Sequence, residues 1–258
     1  MQSLALKYQQ GGWLPIFPCW NSYTAAMIGD HCTSVLADAY IKGLRNFDVE
    51  TAYEGARKNA FELPDRIEDY KNGMGRRALT SYLTYGYIPL EDSVPDAFHT
   101  KEQVSRTLEY AYDDFALAQL AKALGKEQDA SILYERSKNY KHIMDPATGY
   151  ARGKYADGRF VEVFDPFNFA SFITEGTPAH YNWYVPHDVE GLIERMGGRE
   201  KYLAKLDSRF TEGLYWHGNE PCHQVAFMFN YAGKPWRTQK EVRHVMETEY
   251  LDAPGGLS

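Results

Sequence analysis

The sequence predicts an all-α fold of successive antiparallel helix pairs, with long loops and a small β-hairpin at one end. Three observations predict it: apolar residues recur at helical spacing through most of the chain, Gly and Pro dividers separate the helical segments, and no sequence repeat of fixed period is present. An open solenoid usually shows such a repeat, so closure of the helix pairs into an α/α toroid is expected instead. The long loops at one end of the toroid would then carry the chemistry.

The clearest helix is predicted over about residues 101–124, because apolar residues recur from Val104 onwards at steps of four and three. Thr100 and Gln103 have the spacing of a capping box, and Gly125 is well placed to end the helix. Further helices are predicted at about residues 22–44, 48–62, 129–144, 179–196, 199–210, 223–231 and 235–250.

One segment, residues 145–165, interrupts the helical pattern with the turn-forming pairs Asp145-Pro146, Thr148-Gly149 and Asp157-Gly158. The last of these pairs lies between two short apolar runs, an arrangement typical of a β-hairpin. A small hairpin is therefore expected here within an otherwise helical protein.

The composition is that of a globular protein, and it excludes several classes of function. The 258 residues include 28 Lys and Arg against 35 Asp and Glu, with no basic run, so nucleic acid is not an expected partner. The longest uncharged stretch, residues 8–29, contains Pro15 and Pro18, which excludes a membrane span, and it lacks the basic start and cleavage site of a signal peptide. The three scattered cysteines do not indicate a disulfide framework.

Aromatic residues are abundant, with 20 Tyr, 13 Phe and 5 Trp. Most aromatic side chains belong to cores, but their flat apolar faces also suit a pocket for sugar rings. Polar residues join these aromatics in four clusters at predicted loops and helix ends. These clusters are the candidate functional sites.

The first cluster is Trp20-Asn21-Ser22-Tyr23-Thr24, followed by Asp30 and His31. In a structural interpretation, Ser22 caps the first long helix while Asp30 and His31 hydrogen-bond to each other. In a functional interpretation, the aromatic and polar side chains contact a ligand. The residues alone leave both interpretations open.

The second cluster contains two adjacent acids, Asp113 and Asp114, inside the predicted helix 101–124. Side chains of neighbouring helical residues point about 100° apart, so these carboxyls cannot act as a catalytic pair on one face. A solvated face or a buried hydrogen bond to a tyrosine hydroxyl is expected instead.

The third cluster runs from Thr174-Glu175-Gly176 through Tyr181 to His187-Asp188. Glu175 follows an apolar run and precedes a predicted helix, so two effects oppose each other. The positive helix N-terminus stabilises a charged carboxylate, whereas burial against aromatic neighbours favours the neutral acid that a proton donor needs. Burial is the stronger effect, so Glu175 is a candidate general acid if it is buried and an ordinary first-turn acid if it is exposed.

The fourth cluster contains His217, Asn219, Glu220, Cys222 and His223. Two imidazoles, a thiol and a carboxylate suggest zinc, but their spacing matches no standard zinc signature. Asn219 and Glu220 supply oxygen donors on a tight turn, which suits a hard cation such as calcium. A plain Gly-Asn turn before a helix is the structural alternative.

Taken together, the clusters resemble the calcium-dependent exo-α-mannosidases of glycoside hydrolase family 92. The likeness runs from about Trp13 to the last residue, with five motifs in family order at compatible spacing. They are Trp20-Asn21-Ser22-Tyr23-Thr24, Leu108-Glu109-Tyr110-Ala111-Tyr112-Asp113-Asp114, Thr174-Glu175-Gly176, Val185-Pro186-His187-Asp188 and Gly218-Asn219-Glu220-Pro221. The resemblance implies an (α/α)₆ toroid as the catalytic domain, normally preceded by a β-sandwich domain. It also implies inverting release of terminal mannose from α-mannosides, with calcium in the subsite that holds this mannose.

The resemblance also implies roles for individual residues. Glu175 matches the general acid, while Asn219 and Glu220 match the region that shapes the mannose site and holds calcium. Many family members have Asp where this chain has Asn21, so the number of negative charges around the sugar departs from the family pattern. The residues expected to bind the substrate are Trp20, Asn21, Tyr181, His187, Asp188, His217, Asn219 and Glu220.

One departure concerns the general base. In the resembled family it is expected in an Asp-rich stretch just after a segment like Pro254-Gly255-Gly256-Leu257-Ser258, where this sequence stops. Residues 1–258 are therefore expected to form a single, incomplete catalytic toroid domain that lacks the β-sandwich, the first barrel helices and the C-terminal end. Without the base, this chain by itself is expected to be inactive.

The predicted activity is that of an α-mannosidase, of α-1,2 type, acting on mannose-containing glycans such as N-glycans. The sequence itself does not fix the linkage, because variable loops form the aglycone subsites. Two other functions remain open: a non-catalytic carbohydrate-binding helical domain, and an α/α-toroid glycosidase for another sugar. Because the resembled family is typically exported, a periplasmic or extracellular location is expected.

Overall fold

The computed structural model describes residues 1–94 and 97–256, and helices dominate them. The helices are α1 (Gln2–Gly11), α2 (His31–Ile41), α3 (Val49–Phe61), α4 (Ile67–Lys71), α5 (Leu79–Tyr85), α6 (Gln103–Ala123), α7 (Glu127–Arg136), α8 (Pro178–Tyr181), α9 (Val189–Arg195), α10 (Arg199–Thr211) and α11 (Pro235–Thr248), with 3₁₀ segments at Asn139–His142 and Glu220–Asn230. The strands β1 (Phe17–Cys19), β2 (Ser22–Thr24), β3 (Met144–Asp145) and β4 (Tyr150–Ala151) pair as two antiparallel hairpins, β1 with β2 and β3 with β4. The predicted all-α class is confirmed.

The chain divides into two compact units. The first unit is Met1–Ile143 with Gly153–Glu162, and the second is Met144–Arg152 with the residues from Val163 onwards. Closure into an (α/α)₆ ring and the assignment of residues 1–258 to one domain stay predictions. In the described part of the chain, none of the helices has both the length and the apolar content that crossing a bilayer requires.

The long helix α6 organises the first unit, where it packs against α2, α3 and α7. Leu36, Leu117 and Leu133 are fully buried between these helices. The predicted end of α6 is confirmed, since Gly125 adopts the left-handed conformation with φ +71°. The predicted capping box at its start is wrong, because the Gln103 amide donates instead to the backbone carbonyls of Leu90 and Asp92.

A buried ionic network ties α2 and α6 to the segment between α4 and α5. Arg76 is fully buried, with Nε 3.0 Å from Oδ2 of Asp30 and Nη1 2.5 Å from Oδ1 of Asp114. Arg136 donates two further hydrogen bonds of 2.9 Å to Asp114. Burial raises the pKa of Asp30 to about 6, although the charge of Arg76 opposes the shift. The guanidinium and carboxylate groups thus pair with one another inside the core, while Nη2 of Arg76 has no hydrogen-bond partner among the described residues.

The acids of the second cluster are both buried. Asp113 accepts a hydrogen bond of 2.8 Å from the backbone N–H of Asp30, and Asp114 accepts one of 3.1 Å from the Tyr82 hydroxyl. The expected buried hydrogen bond to a tyrosine is therefore confirmed.

The predicted helix 22–44 is wrong in its first part. Ser22 lies in β2, opposite Cys19 of β1, and α2 begins only at His31. Ser22 therefore caps no helix, because strand pairing overrides the helical spacing. The expected pairing of Asp30 with His31 is also wrong, since Nε2 of His31 lies 3.0 Å from Oε2 of Glu109.

In the second unit, one asparagine joins the β3–β4 hairpin to α8. Oδ1 of Asn182 accepts from the backbone N–H of Ala151 at 2.8 Å, and its Nδ2 donates to the carbonyl of Gly149 at 3.3 Å. Beside it, the rings of Trp183 and Tyr202 pack edge to face at 5.4 Å, both fully buried. This aromatic core anchors α8 and α10.

Several other predicted elements differ from the structure. The predicted helix 179–196 is divided into α8 and α9 around Pro186, since the residue before a proline avoids helical geometry. The helix predicted at 223–231 is a 3₁₀ segment, Glu220–Asn230, and the helix predicted at 129–144 ends at Arg136. The helices α1, α4 and α5 were not predicted.

The turn at Asp157-Gly158 is confirmed, since Gly158 has φ +89°. Its flanks form only one isolated bridge among the described residues, Lys154 with Phe160. The hairpin of the second unit forms instead around Thr148-Gly149. The predicted helices at 48–62, 199–210 and 235–250 are confirmed by α3, α10 and α11.

Replacing Arg76 with Met should lower the free energy of unfolding by about 3–5 kcal/mol, because Asp30 loses its buried ionic partner. Urea unfolding followed by circular dichroism measures the change. Lys42→Met is the control, because Lys42 forms an exposed pair with Asp38 at 2.8 Å and its loss should leave stability nearly unchanged. Equal effects of the two substitutions would contradict the importance of the network.

Candidate active site

Glu175 lies just before α8 in the second unit, in a backbone segment with little freedom. Its φ of +48° is in the left-handed region, which is costly for a residue with a side chain. Ile173 and Thr174 before it are buried, and Thr177 after it caps α8. The Oγ1 of Thr177 accepts from the backbone N–H of His180 at 3.3 Å, and Nδ1 of His180 accepts from the backbone N–H of Thr177 at 3.2 Å. The chain therefore holds position 175 from both sides.

The side chain of Glu175 is exposed. The aromatic residues considered for burying it, Phe172, Tyr181 and Trp183, are themselves buried in the core of the unit. The described residues therefore do not bury this carboxyl group, so the condition of burial on which the general-acid expectation depends is not met by them. Any exclusion of water from Glu175 must come from a bound ligand or from chain outside the described residues.

Asn219 joins the fourth cluster to Glu175. Its Nδ2 donates a hydrogen bond of 3.0 Å to the backbone carbonyl of Glu175, although the two residues are 44 positions apart. Asn219 is only 6% exposed, so this amide is a fixed part of the unit. The neighbouring Glu220 is exposed at the start of the 3₁₀ segment. The structure thus brings together the two sequence segments that carried the strongest functional expectations.

His217 holds the same turn from the other side. Its Nδ1 lies 2.7 Å from the hydroxyl of Tyr215 and its Nε2 lies 2.6 Å from the hydroxyl of Tyr250. Its ring stacks on His223 at 4.4 Å, and Nε2 of His223 bonds to the His217 carbonyl at 2.9 Å. Burial, followed by the charge of His223, lowers the pKa of His217. Both ring nitrogens of His217 are occupied, which argues against the zinc interpretation.

The remaining predicted residues of this unit contribute mainly to its packing. Asp188 caps α9 by accepting from the backbone N–H of Gly191 at 3.0 Å. Tyr181 is buried, with its ring 6.1 Å from that of Tyr184. His187 is half-buried beside the α9 cap. Their roles as substrate contacts stay predictions.

Trp20 and Asn21 form the two-residue turn of the β1–β2 hairpin in the first unit. Both have positive φ, 48° and 57°, as in the turns that join twisted strands. The Asn21 carbonyl accepts from Nζ of Lys7 at 2.8 Å. Trp20 is 91% exposed, so a full indole face is open to solvent. Such a face can stack on a sugar ring.

The side chains around position 219 offer oxygen atoms of the kind that calcium binds. The described residues contain no group of three or more His, Cys, Asp or Glu side chains arranged to hold a metal ion. Because Nδ2 of Asn219 is used as a donor, its Oδ1 remains as a neutral oxygen ligand, and Glu220 adds an exposed carboxylate. Oxygen donors are what calcium prefers, and water commonly completes its six to eight ligands. The residues fit calcium in kind and supply part of its coordination shell.

Sequence reasoning missed a cavity of about 150 Å³ beside these segments. Arg209 lines it, together with Phe167, Thr177, Ala179, His180, Gly213, Leu214, Tyr215 and Trp216. A signal for Arg209 was present in the sequence, because it follows Tyr202 and Leu206 at helical spacing on the buried face of α10. A charged residue at such a position is unusual.

Residues 1–258 match the sequence profile of the glycosyl hydrolase family 92 catalytic domain. Among solved structures, the family GH92 alpha-mannosidase BT3965 from Bacteroides thetaiotaomicron is 38% identical with a TM-score of 0.87, covering 99% of this chain and 33% of that chain. The same protein has been solved in complex with mannoimidazole, and that structure also gives a TM-score of 0.87, at 36% identity over 99% of this chain and 35% of that chain. The family GH92 inverting mannosidase BT2199 from the same species is 31% identical with a TM-score of 0.87, over 99% of this chain and 36% of that chain.

An uncharacterized secreted glycosidase of Arthroderma benhamiae is 31% identical over an alignment 280 positions long, which covers 97% of this chain and 35% of that protein. The chain thus spans about a third of the length of the relatives it matches. Because the family profile matches the whole chain, the chain belongs to glycosyl hydrolase family 92.

Proposed function

We propose that this chain forms part of an exo-α-mannosidase that releases terminal mannose with inversion, and that Glu175 is its general acid. The hydrogen bond from Asn219 to the Glu175 carbonyl carries the proposal, because it joins the candidate acid to the candidate sugar-binding turn. The similarity to two mannosidases of the family, one of them solved with mannoimidazole, supports mannose as the sugar.

In this mechanism Glu175 protonates the glycosidic oxygen of the leaving group. Its carboxyl is exposed, so the oxygen of a bound glycan can reach it without movement of the core. The bound glycan excludes water from the carboxyl, and this favours the neutral acid over the carboxylate. The left-handed backbone, fixed by neighbours on both sides, sets the position from which the Glu175 side chain extends.

An inverting enzyme also needs a second carboxylate, which activates water on the opposite face of the sugar. The two carboxyls then stand roughly 6.5–9.5 Å apart, which leaves room for the water. We infer that this base is not one of the residues described here. The Pro254-Gly255-Gly256 segment that was expected to precede it is described, while Leu257 and Ser258 lie outside the described residues.

Calcium belongs to the same proposal, held in part by Oδ1 of Asn219 and the carboxylate of Glu220. When bound, the ion supplies positive charge that binds and orients sugar hydroxyls. Asn219 would then have two roles, since its Nδ2 donates to the Glu175 carbonyl and its Oδ1 would be an oxygen ligand of the ion. The proposal also includes a preference for α-1,2 linkages. It further includes export from the cell, which the secreted relative supports.

One observation favours a second function, carbohydrate binding without turnover. Trp20 presents its indole to solvent at the tip of a hairpin, a geometry suited to stacking on sugars. A chain of this kind would bind mannosides and hydrolyse none. Measurable hydrolysis by the protein separates the two functions.

In a protein that contains this chain together with the general base, Glu175→Gln should lower kcat/KM by about 10²–10⁴ for mannosides with poor leaving groups, because these need the proton. Nitrophenyl mannosides need little protonation and should lose much less. Steady-state kinetics on both substrate types measure the difference. The control is Glu212→Gln, another exposed acid in the same unit, which should leave both rates unchanged. Equal losses on the two substrate types would remove Glu175 from the acid role.

Asn219→Ala should loosen the backbone around Glu175, because a net hydrogen bond of about 0.5–1.5 kcal/mol is lost. Hydrogen exchange of the amides at Gly176 and Thr177 should speed up by about tenfold at most. Asn230→Ala, at an exposed position in the same unit, is the control and should leave these amides unchanged. Unchanged exchange in Asn219→Ala would show that this bond does not hold the segment.

In a protein that contains this chain together with the general base, calcium should be required for activity, so chelation should abolish turnover and added calcium should restore it. Glu220→Gln should raise the calcium concentration for half-maximal activity, since a charged ligand is lost. Asn219→Asp keeps an oxygen ligand but loses the N–H donor, so it should retain calcium binding by titration calorimetry while Asn219→Ala weakens it. Full activity after chelation would contradict the assignment of calcium to this site.

A further inference from the structure

Arg209 is a buried guanidinium without an acidic partner. It is 2% exposed, and its Nη1 donates to the backbone carbonyl of Ala179 at 2.7 Å. Within the described part of the chain, its Nε and Nη2 have no hydrogen-bond partner, and no ion pair includes it. Burial lowers the pKa of Arg209, which reflects the absence of a compensating carboxylate. Buried charges in proteins are normally paired, so this group needs an explanation.

The unpartnered atoms lie on one edge of the guanidinium, which is closed off from solvent, so an anion reaches it only when a side chain of the cavity wall moves. Nε–H and Nη2–H lie on the same side of the planar guanidinium, and two parallel N–H groups of this kind match the two oxygens of a carboxylate or phosphate. The third nitrogen, Nη1, is fixed by the Ala179 carbonyl, so the orientation of the fork is set before any ligand arrives.

The lining of the cavity beside Arg209 favours a negatively charged ligand, because it contains hydrogen-bond donors and, among the described residues, no acid. The volume of the cavity is about 150 Å³, enough for a few waters or for one small polyatomic anion. Nδ1 of His180 accepts from the Thr177 N–H, so the proton of the neutral ring is on Nε2, a second donor. Burial and the charge of Arg209 lower the pKa of His180 to about 4, so this ring is neutral at pH 7.

We propose that this cavity is an anion-binding site that takes a small oxyanion, a carboxylate or a phosphate group, on the Nε–H and Nη2–H edge of Arg209. Thr177 and Trp216 form part of its wall, two residues after Glu175 and three before Asn219. The anion therefore lies beside both segments of the candidate active site. The proposal does not depend on the role of Glu175.

Titration calorimetry of the protein with inorganic phosphate, and separately with acetate, tests this site at constant ionic strength. Phosphate should bind saturably with a dissociation constant in the millimolar range, and Arg209→Met should raise this constant at least tenfold. Arg209→Lys keeps the charge but loses the fork, and it should also weaken binding. Arg199→Met is the matched control, because Arg199 is on the same helix but exposed and paired with Glu190 at 3.2 Å. The dissociation constant of this variant for phosphate should be within twofold of that of the unaltered protein.

Acetate binding of similar strength would identify planar carboxylates as ligands, whereas binding of phosphate alone would identify the tetrahedral dianion. Both results support the site. Absence of saturable binding of either anion, or equal binding by Arg209→Met, would overturn it.

A second measurement covers the case in which Arg209→Met does not fold. In the unaltered protein, saturating phosphate should raise the pKa of His180 by at least one unit, measured from its ring resonances by NMR, because a nearby anion stabilises the imidazolium. A His180 titration that is insensitive to phosphate would also overturn the proposal.

Discussion

The hydrogen bond from the Asn219 amide to the carbonyl of Glu175 is the contact on which the candidate active site depends. It is a bond from a buried side chain to backbone, so it fixes the position of the Glu175 main chain and leaves the carboxyl free. The left-handed φ at Glu175 stores strain that such a bond can hold in place. Strain at an exposed acid, held by a residue from a distant segment, is the arrangement expected of a functional position.

Two ways of handling buried positive charge occur in the chain. In the first unit, Arg76 contacts Asp30 and Asp114, so its charge is neutralised within the core. In the second unit, Arg209 is equally buried, but its free edge points to no carboxylate of the described residues. Because the first arrangement stabilises the fold by itself, it needs no ligand. The second leaves donor groups unpaired. Arg77 in the first unit also has unpaired buried donors, so the cavity without acids beside Arg209 is what supports the proposed anion site.

Strong local signals predicted their elements well. The helices α3, α6, α10 and α11 have sustained helical spacing, and each lies close to its predicted bounds. In two of the failures, a hydrogen-bonding partner that the spacing does not reveal overrode a local preference. Ser22 pairs with β1 instead of capping a helix, and Gln103 bonds to the carbonyls of Leu90 and Asp92 instead of forming a capping box. None of these partners is visible from spacing along the chain.

The sequence by itself indicated the family through the order of the five motifs, and it predicted Glu175, Asn219 and Glu220 as candidate residues for the chemistry. Only the tertiary structure decided that Glu175 is exposed, that Asn219 is buried against it, and that Arg209 is enclosed without an acid. The physical reason is that side-chain identity is local, whereas burial and hydrogen-bond partners depend on segments distant in the chain. The charge state and orientation of a carboxyl or guanidinium follow from those partners.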